Sequence, residues 1–232
     1  MSLRFLVFAS AMIAFALPAS AAERNFMVTD FTRIRIDGAY SVKLTTGVAP
    51  FAKATGAPSA LDKLSVAVEG QTLVIRKIQS GWGGFPGDSS GPVTIAVGTH
   101  DLAAIWLNGP GGLKVNAVKG PSLDIALVGP GSVAVDKLTV DRLGVALAGS
   151  GSAVVAGTAI EAGATASGTS SLDAHALTAK NATIGVSGAA VVKIAATNTA
   201  KVNGEGAVTV DLGGKPSCTL SVDGPAQVTG CR

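Results

Sequence analysis

"IWLNGPGGLKV" (Ile105–Val115), "IALVGPGSVAV" (Ile125–Val135) and "VALAGSGSAVV" (Val145–Val155) repeat one pattern. Each turns on a glycine, Gly109, Gly129 or Gly149, with apolar residues four and two positions before it and four and six after it. Further down the chain the same unit pivots on Gly168, Gly188, Gly204 and Gly224, giving spacings of 20, 20, 19, 20, 16 and 20 residues. Four positions before the pivot stand Ile105, Ile125, Val145, Ala164, Ile184, Ala200 and Leu220. The columns two before (Leu107 to Val222) and four after (Leu113 to Val228) are equally apolar, and the column six after fails only at Gly230. The residues between, such as Ala126, Thr165, Lys201 and Ser221, vary freely. Alternation of this kind predicts strands with one face inward and one in solvent. The pivot is read as a turn at positive φ, which glycine adopts without a Cβ clash. A second small residue two positions later, Gly111 or Ser170 for example, lets successive turns stack closely.

Working outward, "IRIDGAYSVKL" (Ile34–Leu44) is an earlier copy of the unit. Between it and the array, "LSVAVEGQTLVIRKI" reads as a hairpin turning at Glu69-Gly70, and Ser59 with Asp62 as the cap of one short helical turn. A unit of about twenty residues excludes propeller blades; the L-x-x-L-x-L-x-x-N of leucine-rich repeats and the G-G-x-G-x-D of calcium rolls are absent. The predicted fold is all-β: a parallel β-helix-like solenoid with ~20-residue rungs and a β-rich N-terminal cap. Phe26, Phe31, Tyr40 and Phe51 are expected to cover one end, since nothing after Trp106 is aromatic.

The ends of the chain carry different information. Arg4, the apolar run Phe5–Leu17, Pro18 and Ala19-Ser20-Ala21 form an export signal, with cleavage expected after Ala21. The run is too short for a bilayer core that needs roughly 20 residues, and no later segment is long and apolar enough to span one. Residues 1–21 are thus read as a signal peptide and 22–232 as one β-solenoid domain: 22–92 the N-terminal β part with a Gly-rich loop, 93–232 the repeat array. Formal net charge is only +3 and no Lys/Arg run exists, so a nucleic-acid partner is not expected. Cys218 and Cys231, an even pair in an exported chain, favour a disulfide; a metal site would lack further ligands.

The leader, "RIDGAYSVKL", "LDKLSVAVEGQTLVIRK" and the recurrent "LNGPG", "LVGPG", "LAGSG", "VSGAA" and "VNGEG" resemble the head GIN domain family of "putative autotransporter adhesins". The resemblance covers nearly all of the chain after the leader. It implies a parallel β-helix-like stack and an adhesin-like role, with no defined enzymatic activity.

One stretch points elsewhere. "GDSSGP" (Gly87–Pro92) is one residue from the "GDSGGP" around the nucleophile of chymotrypsin-like proteases and satisfies G-x-S-x-G. Both histidines, His100 and His175, follow Ser89, which excludes the chymotrypsin and subtilisin orders. A nucleophile elbow needs a strand before the serine and a helix after it, whereas "SGWGGFP" precedes and Pro92 follows. The segment Gln79–Pro92 is read instead as a loop. Its Trp82 and Phe85 either pack back on the first rung or contact a partner or glycan.

His100-Asp101 and Asp173-x-His175 are read as isolated solvated pairs. The functional expectation is an exported, non-enzymatic module of the cell envelope, periplasmic or extracellular, structural or adhesin-like. No cofactor and no catalytic residue is expected. Its contact surfaces are its flat faces and the Trp82/Phe85 loop, and self-association through the rung ends is a further expectation. The competing reading is a polysaccharide lyase or glycosidase. It requires Asp124, Asp136, Asp141 and Arg142 to converge in one groove rather than scatter along outer edges.

Overall fold

The structure, a computed structural model, describes residues 22–78 and 91–232. The signal-peptide reading of residues 1–21, and Trp82, Phe85 and Ser89, lie outside the described residues. The chain is a β-solenoid of about six turns with rungs about 20 residues apart. It begins with β1 (Ala22–Phe26), β2 (Arg33–Asp37), β3 (Tyr40–Thr46) and β4 (Phe51–Gly56), followed by one helical turn, α1 (Pro58–Asp62). The hairpin β5 (Leu64–Glu69) and β6 (Thr72–Lys77) turns at Gly70 as its sequence predicts. Next come β7 (Val93–Thr99), β8 (Ala104–Asn108), β9 (Gly112–Val115) and β10 (Val118–Val128). The long bent strands β11 (Ser132–Gly149), β12 (Ser152–Gly168), β13 (Ser171–Gly188) and β14 (Val191–Gly206) follow, then β15 (Thr209–Gly213), β16 (Ser217–Asp223) and β17 (Gln227–Thr229).

Each rung has three legs. In β11, Ser132–Val135 lies on what we call face B, 138–140 on a short face C, and 142–149 on face A. Face A runs, strand beside strand, from β5 through β6, β2, β8 and β10 into the last legs of β11–β14 and finally β16. Face B runs from β1 through β4, β7, β3 and β9 into the first legs of β11–β14, then β15 and β17. The first rung, β2–β3, is therefore sandwiched between β6–β7 and β8–β9. The chain lays down β2–β3 and closes the end with β4, α1 and β5. It then returns through β6 and β7 to fill the rung it had skipped.

Alternation accounts for the core. Ile34, Ile36, Leu73, Ile75, Ile105 and Leu107 are fully buried on face A, and Leu44, Ile95, Val97 and Val115 on face B. Burying each such side chain stabilises by about 1.5–3 kcal/mol against leaving it exposed. Face C, invisible in the eleven-residue unit, adds Val118, Leu138, Val140, Leu177 and Ala179. At the corners, Gly109, Gly129, Gly149, Gly168 and Gly188 have the positive φ expected of them.

Gly204 does not. It is a strand residue beside Val186, and the corner of that rung is Gly206 (φ 96°), beside Gly188. The real spacings are 18 and 18 residues, 188 to 206 and 206 to 224, where the sequence suggested 16 and 20. The cause is the B–C corner of β13, where Thr178 rather than His175 pairs with Ala195, so the next rung is shorter. Because side chains alternate with period two, the two-residue slip left every inward residue inward.

Three further expectations are corrected. Ser59 lies inside α1 and caps nothing: the N-cap is Ala57, and no side chain caps the turn. Phe31 does close the end, at 1% exposure, but Phe51 is exposed and lies across Gly98 on the outside of face B, while Ala52 and Ala54 of the same strand point inward. At the other end Leu220 and Val222, read as inward, are 46% and 37% exposed, because β16 has a partner strand on one side only among the described residues. Cys218 and Cys231 form the expected disulfide beside that last rung.

Candidate functional site

The outward residues of face A form the broadest candidate surface. Successive strands place in one column Val74, Arg35, Trp106, Ala126, Ala146, Thr165, Gly185, Asn203 and Ser221. Beside it runs Arg76, Asp37, Asn108, Val128, Ala148, Ser167, Ser187, Glu205 and Asp223. From Ala126 to Gly185 the side chains of the first column are short, and the face carries an open groove of about 500 Å³ lined there by Ala126, Ala146, Thr165 and Gly185. Two of its hydroxyls are tied to the neighbouring rung. Thr165 Oγ1 donates to the Val145 carbonyl (3.4 Å) and Ser167 Oγ to that of Leu147 (3.2 Å).

At the N-terminal head of the groove stands Trp106, the outward residue of β8 between the buried Ile105 and Leu107. It helps line a hollow of about 370 Å³ with Arg35, Glu69, Thr72, Val74 and Asn108. The polar members are already ordered. Asn108 Nδ2 donates to Asp37 Oδ1 (2.6 Å), Arg35 Nε donates to Asp37 Oδ2 (2.9 Å), and Arg76 pairs with Glu69 (3.1 Å). Sequence reading passed over Trp106. Its signal was present nonetheless, since it is the one aromatic residue in its outward column and is followed there by Ala126, Ala146, Thr165 and Gly185.

The acids singled out by the enzyme reading do not converge. Asp124 lies on the outside of face A against Gly144. Asp136 sits at the B–C corner, paired with Lys114 at 3.2 Å. Asp141 and Arg142 lie at the C–A corner with Ser122, Ile160 and Glu161. Such exposed pairs are worth little individually. Among the described residues no group of three or more His, Cys, Asp and Glu side chains is placed to hold a metal ion.

The two histidines are local. His100 pairs through Nδ1 with Asp30 at 3.2 Å, not with its sequence neighbour Asp101. That hydrogen bond from His100 holds the Asp30 carboxyl below its ordinary value, with the Thr99 hydroxyl assisting. Asp173 accepts a bond from the backbone N–H of His175 (3.2 Å) on the exposed side of β13. Burial pushes the Tyr40 phenol up.

Comparison with known proteins places this geometry. The family model described as "Putative auto-transporter adhesin, head GIN domain" matches residues 30–216. A "putative adhesin" of Bacteroides fragilis is similar in structure with TM-score 0.78 and 22% identity, over 90% of this chain and 96% of that one. A "putative lipid binding protein" of Parabacteroides distasonis gives TM-score 0.67 at 20% identity, over 91% and 96%. A "putative adhesin" of Parabacteroides merdae gives 0.66 at 16%, again over 91% and 96%. At these identities the likeness is one of fold. No curated protein matches.

Proposed function

The chain belongs to the head GIN domain family, and from that premise we propose that it is an exported, non-enzymatic, adhesin-like binding module of the cell envelope, with a surface glycan as its partner. The observation that carries the proposal is the outer surface of face A. Several rungs share a run of short outward side chains, opening a groove with polar hydroxyls and amides along it. An open, partly polar groove suits an extended carbohydrate, whereas glycoside hydrolysis needs two carboxylates facing one another across a single site, roughly 5–9.5 Å apart. Asp124, Asp136 and Asp141 occupy three separate places on the outside. The disulfide fits export to an oxidising compartment.

Trp82 and Phe85, which lie outside the described residues, are kept in this proposal as contact residues. The test is a glycan array and an envelope-fraction pull-down with wild type, with Trp82→Ala/Phe85→Ala, and with Ala146→Arg in the groove floor. Reduced capture by the groove variant is the expected result. Unchanged capture by both variants, or capture by lipid vesicles alone, would remove the proposal. A second reading, self-association, is supported by Leu220 and Val222 exposed on β16. Sizing the protein with and without Cys231→Ser tests it.

A further inference from the structure

We propose that the hollow headed by Trp106 is a saccharide-binding subsite, taking a neutral pyranose of a β-1,4-linked chain. It rests on the glycan-binding reading above and adds the place and chemistry of recognition. The indole is on the outside by register. β8 buries Ile105 and Leu107, so Trp106 must face outward, where it sits half-buried between Arg35 on one neighbouring strand and Ala126 on the other. Trp106 lines the hollow with residues of β2, β5 and β6, and on its other side the column continues with the short Ala126, where the lining of the groove begins.

A β-linked gluco-type pyranose carries its hydroxyls equatorially and its C–H bonds axially, which gives it a flat apolar face suited to an aromatic ring. A sugar in that position needs hydroxyl partners at the ring's rim, and these are supplied in a fixed arrangement. Asp37 holds Asn108 through its Nδ2 and Arg35 through its Nε. Among the described residues that leaves the Asn108 side-chain oxygen and the terminal nitrogens of Arg35 uncommitted, an acceptor beside planar donors. Glu69, held by Arg76 through one oxygen, contributes a second acceptor. Val74, buried at 6% exposure, adds apolar lining. Ordering before binding lowers the entropy cost of recognition.

Charge selects the ligand class. Two guanidinium groups, Arg35 and Arg76, stand against two carboxylates, Asp37 and Glu69, so the hollow favours a neutral sugar over an acidic one. Shape selects the linkage. Past Trp106, each next strand of face A lies about 4.8 Å further on, nearly the advance of one sugar in an extended β-1,4 chain, and Ala126 and Ala146 leave that path clear.

The test uses the exported chain with cellotetraose and chitotetraose as probes and α-linked maltotetraose for comparison. Titration calorimetry measures affinity, and the indole N–H resonance that disappears in Trp106→Phe reports on Trp106 itself. Saturable binding of a β-linked probe is expected to shift that resonance. Affinity should fall at least tenfold in Trp106→Ala and several-fold in Arg35→Ala and Asn108→Ala, with Trp106→Phe retaining an intermediate value. Arg35 and Asn108 lie outside the core, so these variants keep the test alive if Trp106→Ala misfolds. Equal affinity in Arg35→Ala, Asn108→Ala and wild type overturns the subsite, as does an unmoved Trp106 resonance. If Trp106→Ala still captures envelope material undiminished while no oligosaccharide binds, the subsite falls and the binding-module reading survives. If wild type captures neither glycan nor envelope material, both fall.

Discussion

Two glycine-to-alanine changes, chosen from the stack itself, separate the role of the corners from the general poverty of side chains. Gly131 lies two residues past a corner and is buried, and its φ is not in the left-handed region. A Cβ there would stand 2.6 Å from the Gly109 carbonyl oxygen, 2.8 Å from Leu107 Cδ2 and 2.9 Å from the Gly111 oxygen. Two of those atoms are backbone of the preceding rung and cannot swing away, so Gly131→Ala must push two rungs apart. Overpacking of this kind costs about 1–3 kcal/mol, and the backbone contacts place this site at the upper end. Gly163 is the control. It lies mid-strand on the outside of face A, and a Cβ there meets only the Leu143 oxygen, at 3.7 Å. Gly163→Ala should stabilise by roughly 0.5–1 kcal/mol through lost freedom of the unfolded chain. Thermal unfolding followed by far-UV circular dichroism reads both. For a domain of this size each kcal/mol moves Tm by about 2–4 °C, so Gly131→Ala should melt lower by up to ~12 °C and Gly163→Ala slightly higher. If the two variants shift together, or if Gly131→Ala melts with wild type, the stacking account of the corners is wrong.

Position in the stack should outweigh residue type: Ile125→Ala, in the buried interior, is expected to cost about 2–5 kcal/mol. Leu220→Ala, in the same sequence column but 46% exposed, should cost under ~1 kcal/mol; similar urea midpoints for the two would contradict this. Breaking the disulfide with Cys218→Ser should remove up to about 3 kcal/mol. The loss should appear as faster amide exchange in Ser217–Thr229, not along β11–β13, since β16 is paired on one side only among the described residues. Because His100 depresses the Asp30 pKa in the folded state, the Asp30–His100 pair stabilises above the ordinary value of 3.8 and is lost as pH falls through the depressed one. The Asp30 carboxyl carbon, followed by NMR, should therefore titrate below 3.8, and His100→Ala should return it toward that value; an unchanged midpoint would count against the bond.

Some of the site was legible and some was not. Trp106, Ala126 and Ala146 fall in one outward column that can be read by counting from the pivots. Asp37 and Asn108, the residues that order the polar side of the hollow, are 71 positions apart and meet because β2 lies directly beside β8. Nothing in the local pattern says so, since every rung carries the same alternation and would pair with any other. The same holds for His100, whose partner Asp30 precedes the first rung.

By itself the sequence determined which residues of faces A and B point inward in all but the last rung, where most corners fall, and hence that the chain coils into a stack. Period-two alternation and glycine at the turns are local constraints that leave few other ways to bury those aliphatic side chains. Only the tertiary structure decided the order of the rungs, the existence of face C and the position of the Gly206 corner. Strand order is set by which edges are free when the chain returns. Insertions and deletions are absorbed at the corners, where no alternation records them.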